Sequence, residues 1–368
     1  MTKKKIVIAS VLKPVNDTRM YEKMATSLAN TGKYDVDIIG FSIKNIPKRD
    51  NITFHPLFNF PRLSVERLMA GKNCYDLLKK IKPELLIINT HELLITAVCY
   101  GLFHKTKLIY DVRENYYRNI LHTTTFPKLI KPFLAGWIRL KEYLSHLFFD
   151  HYFLAEKYYE QEFSFTKGKS TVLENKHQAI EGLVLNDNRD KTKIKLLFSG
   201  TLAESTGVFH AINLAISLHE IDESISLDII GYSPLPHLIN QIESEIKSLD
   251  YIRLHGGEEL ISHEEIILKI SESNFGIICY PYNKSTINST PTKLYEYLAN
   301  RLPLIIQNHP KWKAICLDNS AGIVIDYDHY DVNHVLESMK SSPFYNNAQN
   351  DDFSWSSEEL KMLAIINS

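Results

Sequence analysis

Cysteine is scarce in this chain. Cys74, Cys99, Cys279 and Cys316 are the only four, far apart and without a C-x-x-C pair. They fit reduced core thiols of a cytosolic protein better than disulfides or a zinc site. Long apolar runs are also missing, and no stretch approaches an uncharged bilayer span. The opening Lys3-Lys4-Lys5 passes directly into Ile6-Val7-Ile8. It lacks the apolar length and cleavage site of a secretory leader, so a cytoplasmic location is expected. No G-x-G-x-x-G follows the first apolar run, and no Walker A pattern occurs. Both absences argue against NAD or FAD chemistry and against a P-loop kinase.

Charge is balanced overall, with 42 Lys and Arg against 43 Asp and Glu. The balance conceals an asymmetry. Residues 1–170 hold 27 basic and 16 acidic residues, a net of +11, and the remainder nets −12. A basic half joined to an acidic half suggests that one of them faces something anionic. Incidental drift in surface composition is the plain alternative.

A length of 368 residues and an apolar content of 44% suit two domains with large cores. Short apolar runs alternate with helical patterns throughout. The first half predicts strands at Lys5–Ser10, Val36–Phe41, Leu85–Asn89, Lys107–Tyr110, His151–Leu154 and Thr171–Leu173, with helices such as Tyr21–Ala29 and Val65–Ile81 between them. The second half predicts Ile194–Phe198, Leu227–Ile230, Ile252–His255, Phe275–Cys279, Leu304–Ile306 and Ala321–Ile325, with helices such as Val208–His219 and His237–Leu249. Alternation of this kind makes parallel sheets wound on both faces, an α/β class. The polar stretch from Lys176 to Lys193, centred on Asn186-Asp187-Asn188-Arg189-Asp190, reads as a linker. The expected division is residues 1–175, a linker at 176–192, a second domain at 193–345 and a tail with a helix at 346–368. Ligands of such sheets bind beyond the carboxyl ends of the strands, so two facing domains would enclose a cleft.

The most informative run is Ser289-Thr290-Pro291-Thr292-Lys293-Leu294-Tyr295-Glu296-Tyr297-Leu298-Ala299, ending in Arg301-Leu302-Pro303-Leu304-Ile305-Ile306. Thr290 can cap a helix and Pro291 suits its first position. The amides that follow point outward at the positive helix end, which favours a phosphate. Lys293 and Glu296 share a face, with a cation near the phosphates and a carboxylate able to accept from both ribose hydroxyls. A capped surface helix with a solvated Lys–Glu pair is the plainer reading of the same residues. The run nevertheless resembles the donor-site signature of family-four retaining glycosyltransferases, roughly P-x-K-L-x-E-Y-x-A-x-x-x-P-x-I.

The resemblance covers nearly the whole chain, in order. Asn16-Asp17-Thr18-Arg19-Met20-Tyr21-Glu22 is similar to the family's D-x-R-V-x-x-E. Thr90-His91-Glu92 resembles H-x-H-D, and Tyr110-Asp111-Val112-Arg113-Glu114-Asn115-Tyr116 resembles Y-D-x-H-E-x-Y. Phe198-Ser199-Gly200-Thr201-Leu202 matches the glycine turn of the donor domain, and Phe353-Ser354-Trp355 the F-x-W before a last helix that crosses back to the first domain. The resemblance implies a GT-B fold with two Rossmann-like domains. It implies Gly200, Thr201, Pro291, Thr292, Lys293 and Glu296 as nucleotide-binding residues and His91, Arg113 and Lys293 as catalytic ones. Asp17, Arg19, Asp111 and Glu114 would lie toward the acceptor or cleft. Bland roles stay open for several: Asp17 as a helix cap, His91 as a structural histidine, Gly200 as an ordinary turn.

Three departures stand out. The loop Thr201-Leu202-Ala203-Glu204-Ser205-Thr206-Gly207 has no basic residue where relatives carry an arginine and a lysine. Asn288 stands where an E-x7-E motif has its first glutamate, and Arg113 replaces the usual histidine. Asp35-Val36-Asp37 and Asp326-Tyr327-Asp328 match D-x-D on paper, but they adjoin strand patterns and read as structural or solvated, so no metal and no cofactor is expected. From Phe126 to Phe149, Lys128, Lys131, Arg139 and Lys141 accompany Phe133, Trp137, Leu140, Leu144 and Phe148. The apolar residues recur at three- and four-residue steps. Leu140, Leu144 and Phe148 are expected to pack on the sheet, whereas Trp137 and the lysines are candidates for an anionic bilayer.

These readings predict a cytoplasmic, peripherally membrane-associated transferase. It would move a sugar from a nucleoside diphosphate to a glycan or lipid-linked acceptor in cell-surface polysaccharide assembly, with no nucleic acid involved. A sugar-nucleotide 2-epimerase of the same plan and a non-catalytic nucleotide-sugar sensor are the alternatives.

Overall fold

The computed structural model describes residues 3–61, 64–122, 126–180, 183, 192–281, 287–346 and 353–368. The linker centre Asn186–Asp190 lies outside the described residues. Contacts divide the chain into two units, one running to Gln178 and resuming at Trp355–Ser368, the other spanning Ala179–Ser354.

The first unit holds seven strands: β1 (Lys4–Pro14), β2 (Tyr34–Phe41), β3 (Ile52–Phe58), β4 (Leu85–Ile88), β5 (Lys107–Val112), β6 (His151–Leu154) and β7 (Ser170–Val172). Their order is β3-β2-β1-β4-β5-β6-β7, and every pairing is parallel. Alternate residues of β1 enter different cores. Val7, Ala9 and Val11 join one cluster, and Ile6 and Ile8 join the other. The two-residue period thus produces a sheet covered on both faces.

The second unit repeats the plan with β8 (Ile194–Thr201), β9 (Ile225–Tyr232), β10 (Ile252–Gly257), β11 (Phe275–Ile278), β12 (Leu304–Gln307) and β13 (Gly322–Ile325). The order is β10-β9-β8-β11-β12-β13, again all parallel. Leu196 and Phe198 face one core and Leu197 the other. Both sheets follow the Rossmann winding, reversing direction beside the first strand. The predicted α/β class with two wound sheets is what the structure has.

β3 is the strand that sequence patterning misses. His55 and Pro56 interrupt its alternation, and a proline cannot donate to a ladder. It survives because β3 is an edge with a partner on one side only, Pro56 standing opposite Gly40. The helix expected at Tyr21–Ala29 begins earlier, as a π-helical stretch Thr18–Ala25 that continues as the α-helix Thr26–Asn30. The helix Ser356–Asn367 packs into the first unit: Trp355 is fully buried, and its Nε1 donates to Ser27 Oγ at 3.0 Å.

Candidate functional site

The predicted residues gather into one group in each unit, each at the carboxyl edge of its sheet. In the first unit, Asp17 accepts from the backbone N–H of Arg19 and Met20, at 3.1 and 3.0 Å, and so caps the π-helix. The same carboxylate takes a bidentate pair from Arg113 at 2.7 and 3.1 Å. Burial alone would raise its pKa. The charge and hydrogen bonds of Arg113 outweigh that, with help from Lys13, and hold Asp17 at about 2. Arg113 is raised in turn: burial opposes, but the Asp17 pairing prevails.

One layer deeper, Arg19 Nε donates to both Asp111 oxygens at 3.1 and 2.9 Å, its Nη2 to Oδ1 at 2.6 Å, and its Nη1 to the Leu173 carbonyl at 2.9 Å. Asn89 Nδ2, at the end of β4, donates to Asp111 Oδ2 at 2.5 Å. Neither Arg19 nor Asp111 has any exposed surface. Their visible work is to fix the β1 loop against β4 and β5. Nothing in the sequence around Asn89 announces its part. Glu114 pairs at 3.1 Å with Lys13 and accepts from Asn119 at 3.2 Å.

His91 opens a short 3-10 turn after β4, its ring edge-on to Tyr116 with centroids 4.7 Å apart. Lys141 Nζ lies 3.2 Å from Nδ1. An ammonium can only donate, so Nδ1 accepts and the ring proton is assigned to Nε2. Burial pushes the imidazole down most; Glu92 opposes it, Lys141 and Arg67 reinforce it, and His91 rests at about 4. At neutral pH it is an uncharged ring carrying one N–H donor.

In the second unit the helix after β11 spans Thr292–Ala299. It starts one residue later than expected. Pro291, with φ −61° and ψ 136°, takes the cap position in place of Thr290. That ψ is extended rather than helical, so the first helical residue is Thr292. Leu294 and Leu298 face the core as expected. Tyr297 does so too, and its hydroxyl lies 2.8 Å from Ser199 Oγ, tying the helix to the end of β8.

Gly200 follows Ser199 with φ +99°, a conformation that favours glycine, and a side chain there would lie 3.7 Å from Lys293 Cε. Lys293 therefore reaches across to the glycine turn. It is only 5% exposed, and among the described residues its Nζ has no hydrogen-bond partner. It lies over the faces of Phe198 and Tyr280, with centroids at 4.1 and 5.1 Å. Burial lowers the ammonium to about 8, against the opposing pull of Cys279 and Glu296.

One turn on, Glu296 Oε1 meets His263 Nε2 at 3.2 Å, both side chains nearly buried. His263 is a site residue that sequence reasoning misses, because it comes 33 positions earlier, at the start of the helix His263–Glu272. Thr201 is exposed, and its carbonyl accepts from Thr206 Oγ1 at 2.9 Å within the loop that lacks basic residues.

Three of the four D-x-D carboxylates have local partners. Asp37 meets His55 Nε2 at 2.6 Å, Asp35 meets Lys3 at 3.7 Å, and Asp326 accepts from the Asp328 backbone at 3.1 Å. Among the described residues no three His, Cys, Asp or Glu side chains group as metal ligands.

No protein-family model and no curated protein matches the sequence. Solved structures do match in shape. Sucrose-phosphate synthase from Thermosynechococcus elongatus superimposes with a TM-score of 0.68 at 12% identity, covering 99% of this chain and 98% of that one. The catalytic domain of starch synthase IV from Arabidopsis thaliana, solved with ADP and acarbose, gives 0.67 at 12% identity over 100% and 99%. Anabaena HepE, solved with UDP and glucose, gives 0.66 at 11% identity over 99% and 100%. The likeness runs end to end through both units, so this chain has the GT-B fold.

Proposed function

We propose that the protein is a retaining glycosyltransferase. It moves a sugar from a nucleoside diphosphate to a hydroxyl of a glycan or lipid-linked acceptor, in the cytoplasm, as a step of cell-surface polysaccharide assembly. One observation carries the reading: a buried ammonium, without a hydrogen-bond partner among the described residues, at the amino end of a helix and beside a glycine turn. A lone cation in a poor dielectric is costly, and a diphosphate supplies the missing counter-charge. The positive end of the helix dipole adds to that attraction.

In this reading the leaving diphosphate gathers negative charge as the glycosidic bond to the sugar breaks. Lys293 and the positive end of its helix stabilise that charge more in the transition state than in the ground state. The departing phosphate oxygen takes the acceptor proton, and the acceptor oxygen bonds to the anomeric carbon on the face the diphosphate leaves. His91, neutral with its proton on Nε2, donates a hydrogen bond to a sugar hydroxyl or to the acceptor. Arg113, held flat by Asp17, offers its remaining N–H groups there. Glu296 accepts from the ribose hydroxyls, and His263 holds its Oε1 in place.

Glu296→Ala is expected to raise the donor KM about 10- to 100-fold, the loss of a charge-assisted hydrogen bond. His263 acts through Glu296, as a positioning residue. His263→Ala should raise the donor KM several-fold with kcat held, and His263→Gln, which keeps a donor near the same place, should restore it. Equal loss in both His263 variants would refute the positioning role. Transfer should also survive a chelator, since among the described residues no three His, Cys, Asp or Glu side chains group as metal ligands. A thermal-shift panel of UDP, GDP, CDP and dTDP sugars identifies the donor, because a ligand of the folded form raises the midpoint. No shift with any nucleotide would overturn the proposal.

A further inference from the structure

The first unit carries an apolar surface that its core leaves out. The helix Lys131–Ser145 buries Ala135, Ile138, Glu142 and Ser145. The expected inward packing of Leu140, Leu144 and Phe148 is therefore corrected. Ile138 and its small neighbours fit against the unit, and Tyr110 donates to Glu142 at 3.3 Å, so the bulky residues turn outward. Phe133 is 82% exposed, Trp137 56%, Leu140 46% and Leu144 56%. Burying a side chain of this size is worth roughly 1.5–3 kcal/mol, so a stripe left in water points to an apolar partner.

Neighbouring helices carry exposed apolar residues too. Lys141 ties the helix to His91, at the foot of the helix Leu94–Phe103, where Ile95 is 56% exposed. Arg67 pairs with Glu92 in the same turn, and Leu68 beside it is 82% exposed.

The charge around the stripe has one sign. Between Phe126 and Phe149 the basic residues are Lys128, Lys131, Arg139 and Lys141, and the single carboxylate, Glu142, is 1% exposed. A second copy of the chain would bring the same positive charge against it. An anionic bilayer offers the opposite charge and an apolar interior together. Among the described residues no helix is long and apolar enough to cross a membrane.

We infer that the helix Lys131–Ser145 lies in the surface of an anionic lipid bilayer, its Phe133–Trp137–Leu140–Leu144 stripe in the acyl boundary and Lys128 and Lys131, at its amino end, among the headgroups. This needs only the surface, so vesicle binding can succeed or fail independently of the transfer reaction. The test is flotation of the full chain with phosphatidylglycerol–phosphatidylcholine vesicles and with pure phosphatidylcholine.

Binding is expected to be at least about tenfold tighter to the anionic vesicles and to weaken with salt. The triple variant Phe133→Ser, Trp137→Ser, Leu144→Ser should lose it by about 100-fold while keeping its circular dichroism and melting midpoint. Absent wild-type binding, or equal binding by the triple variant, overturns the inference. So does a dimer in sedimentation that the triple variant abolishes, since the face would then belong to a second copy.

Discussion

Lys293→Met should all but abolish sugar transfer and at the same time make the ligand-free protein more stable. Transfer falls because the group opposite the developing phosphate charge is gone. Removing one preorganised donor of this kind costs on the order of 10²–10³ in rate. Stability rises because the ammonium is buried without a hydrogen-bond partner among the described residues. The faces of Phe198 and Tyr280 offset part of the cost, but a cation over a ring gives roughly 0.5–2 kcal/mol. Burial still wins, since the pKa stands at about 8 rather than 10.5. That shift corresponds to about 3 kcal/mol against the charged form at neutral pH.

The sign is testable. Between pH 8 and about 10 the unfolded chain holds this proton and the folded one has released it, so wild-type stability rises through that window. Below pH 8 the full penalty applies. Thermal melts from pH 7 to 10 should show the rise in wild type and its absence in Lys293→Met, with the variant more stable at pH 7. A variant that still transfers sugar at near wild-type rate would remove the diphosphate from this place.

Asp111→Ala carries the largest expected loss of stability. It strands Arg19, which is fully buried with its Nε and Nη2 on the lost carboxylate. Breaking a buried pair from one side costs about 3–5 kcal/mol, because the remaining charge keeps its desolvation penalty. The urea midpoint should fall accordingly. The double variant Arg19→Met, Asp111→Leu should recover part of the loss, since no uncompensated charge remains. A cost under about 1 kcal/mol for Asp111→Ala would mean that water reaches Arg19 and the network is not closed.

Strand periodicity made both sheets legible, because parallel strands buried on two faces are written as short apolar runs. β3 escaped for the same reason in reverse, as an edge needs less apolar alternation and tolerates Pro56. At the candidate site, the helix start that carries Lys293 and the glycine turn at Gly200 were legible because both are local signals. His263 and Asn89 were not, since each reaches its partner through the fold: His263 to Glu296 and Asn89 to Asp111. The outward turn of Leu140 and Leu144 was hidden for a different reason. Periodicity locates an apolar stripe on a helix but does not say which side the rest of the protein covers.

The first unit is closed by residues that come after the second. Trp355 donates its backbone N–H to the His177 carbonyl at 2.7 Å, and Glu358 meets Lys176 at 3.1 Å. Met362 completes the core that β1 begins, with no exposed surface. During synthesis, then, the amino-terminal sheet emerges early but waits unfinished while Ala179–Ser354 folds as an insertion. A nascent chain halted before Trp355 would hold a complete second half and an open first one, the reverse of the order in which they were made.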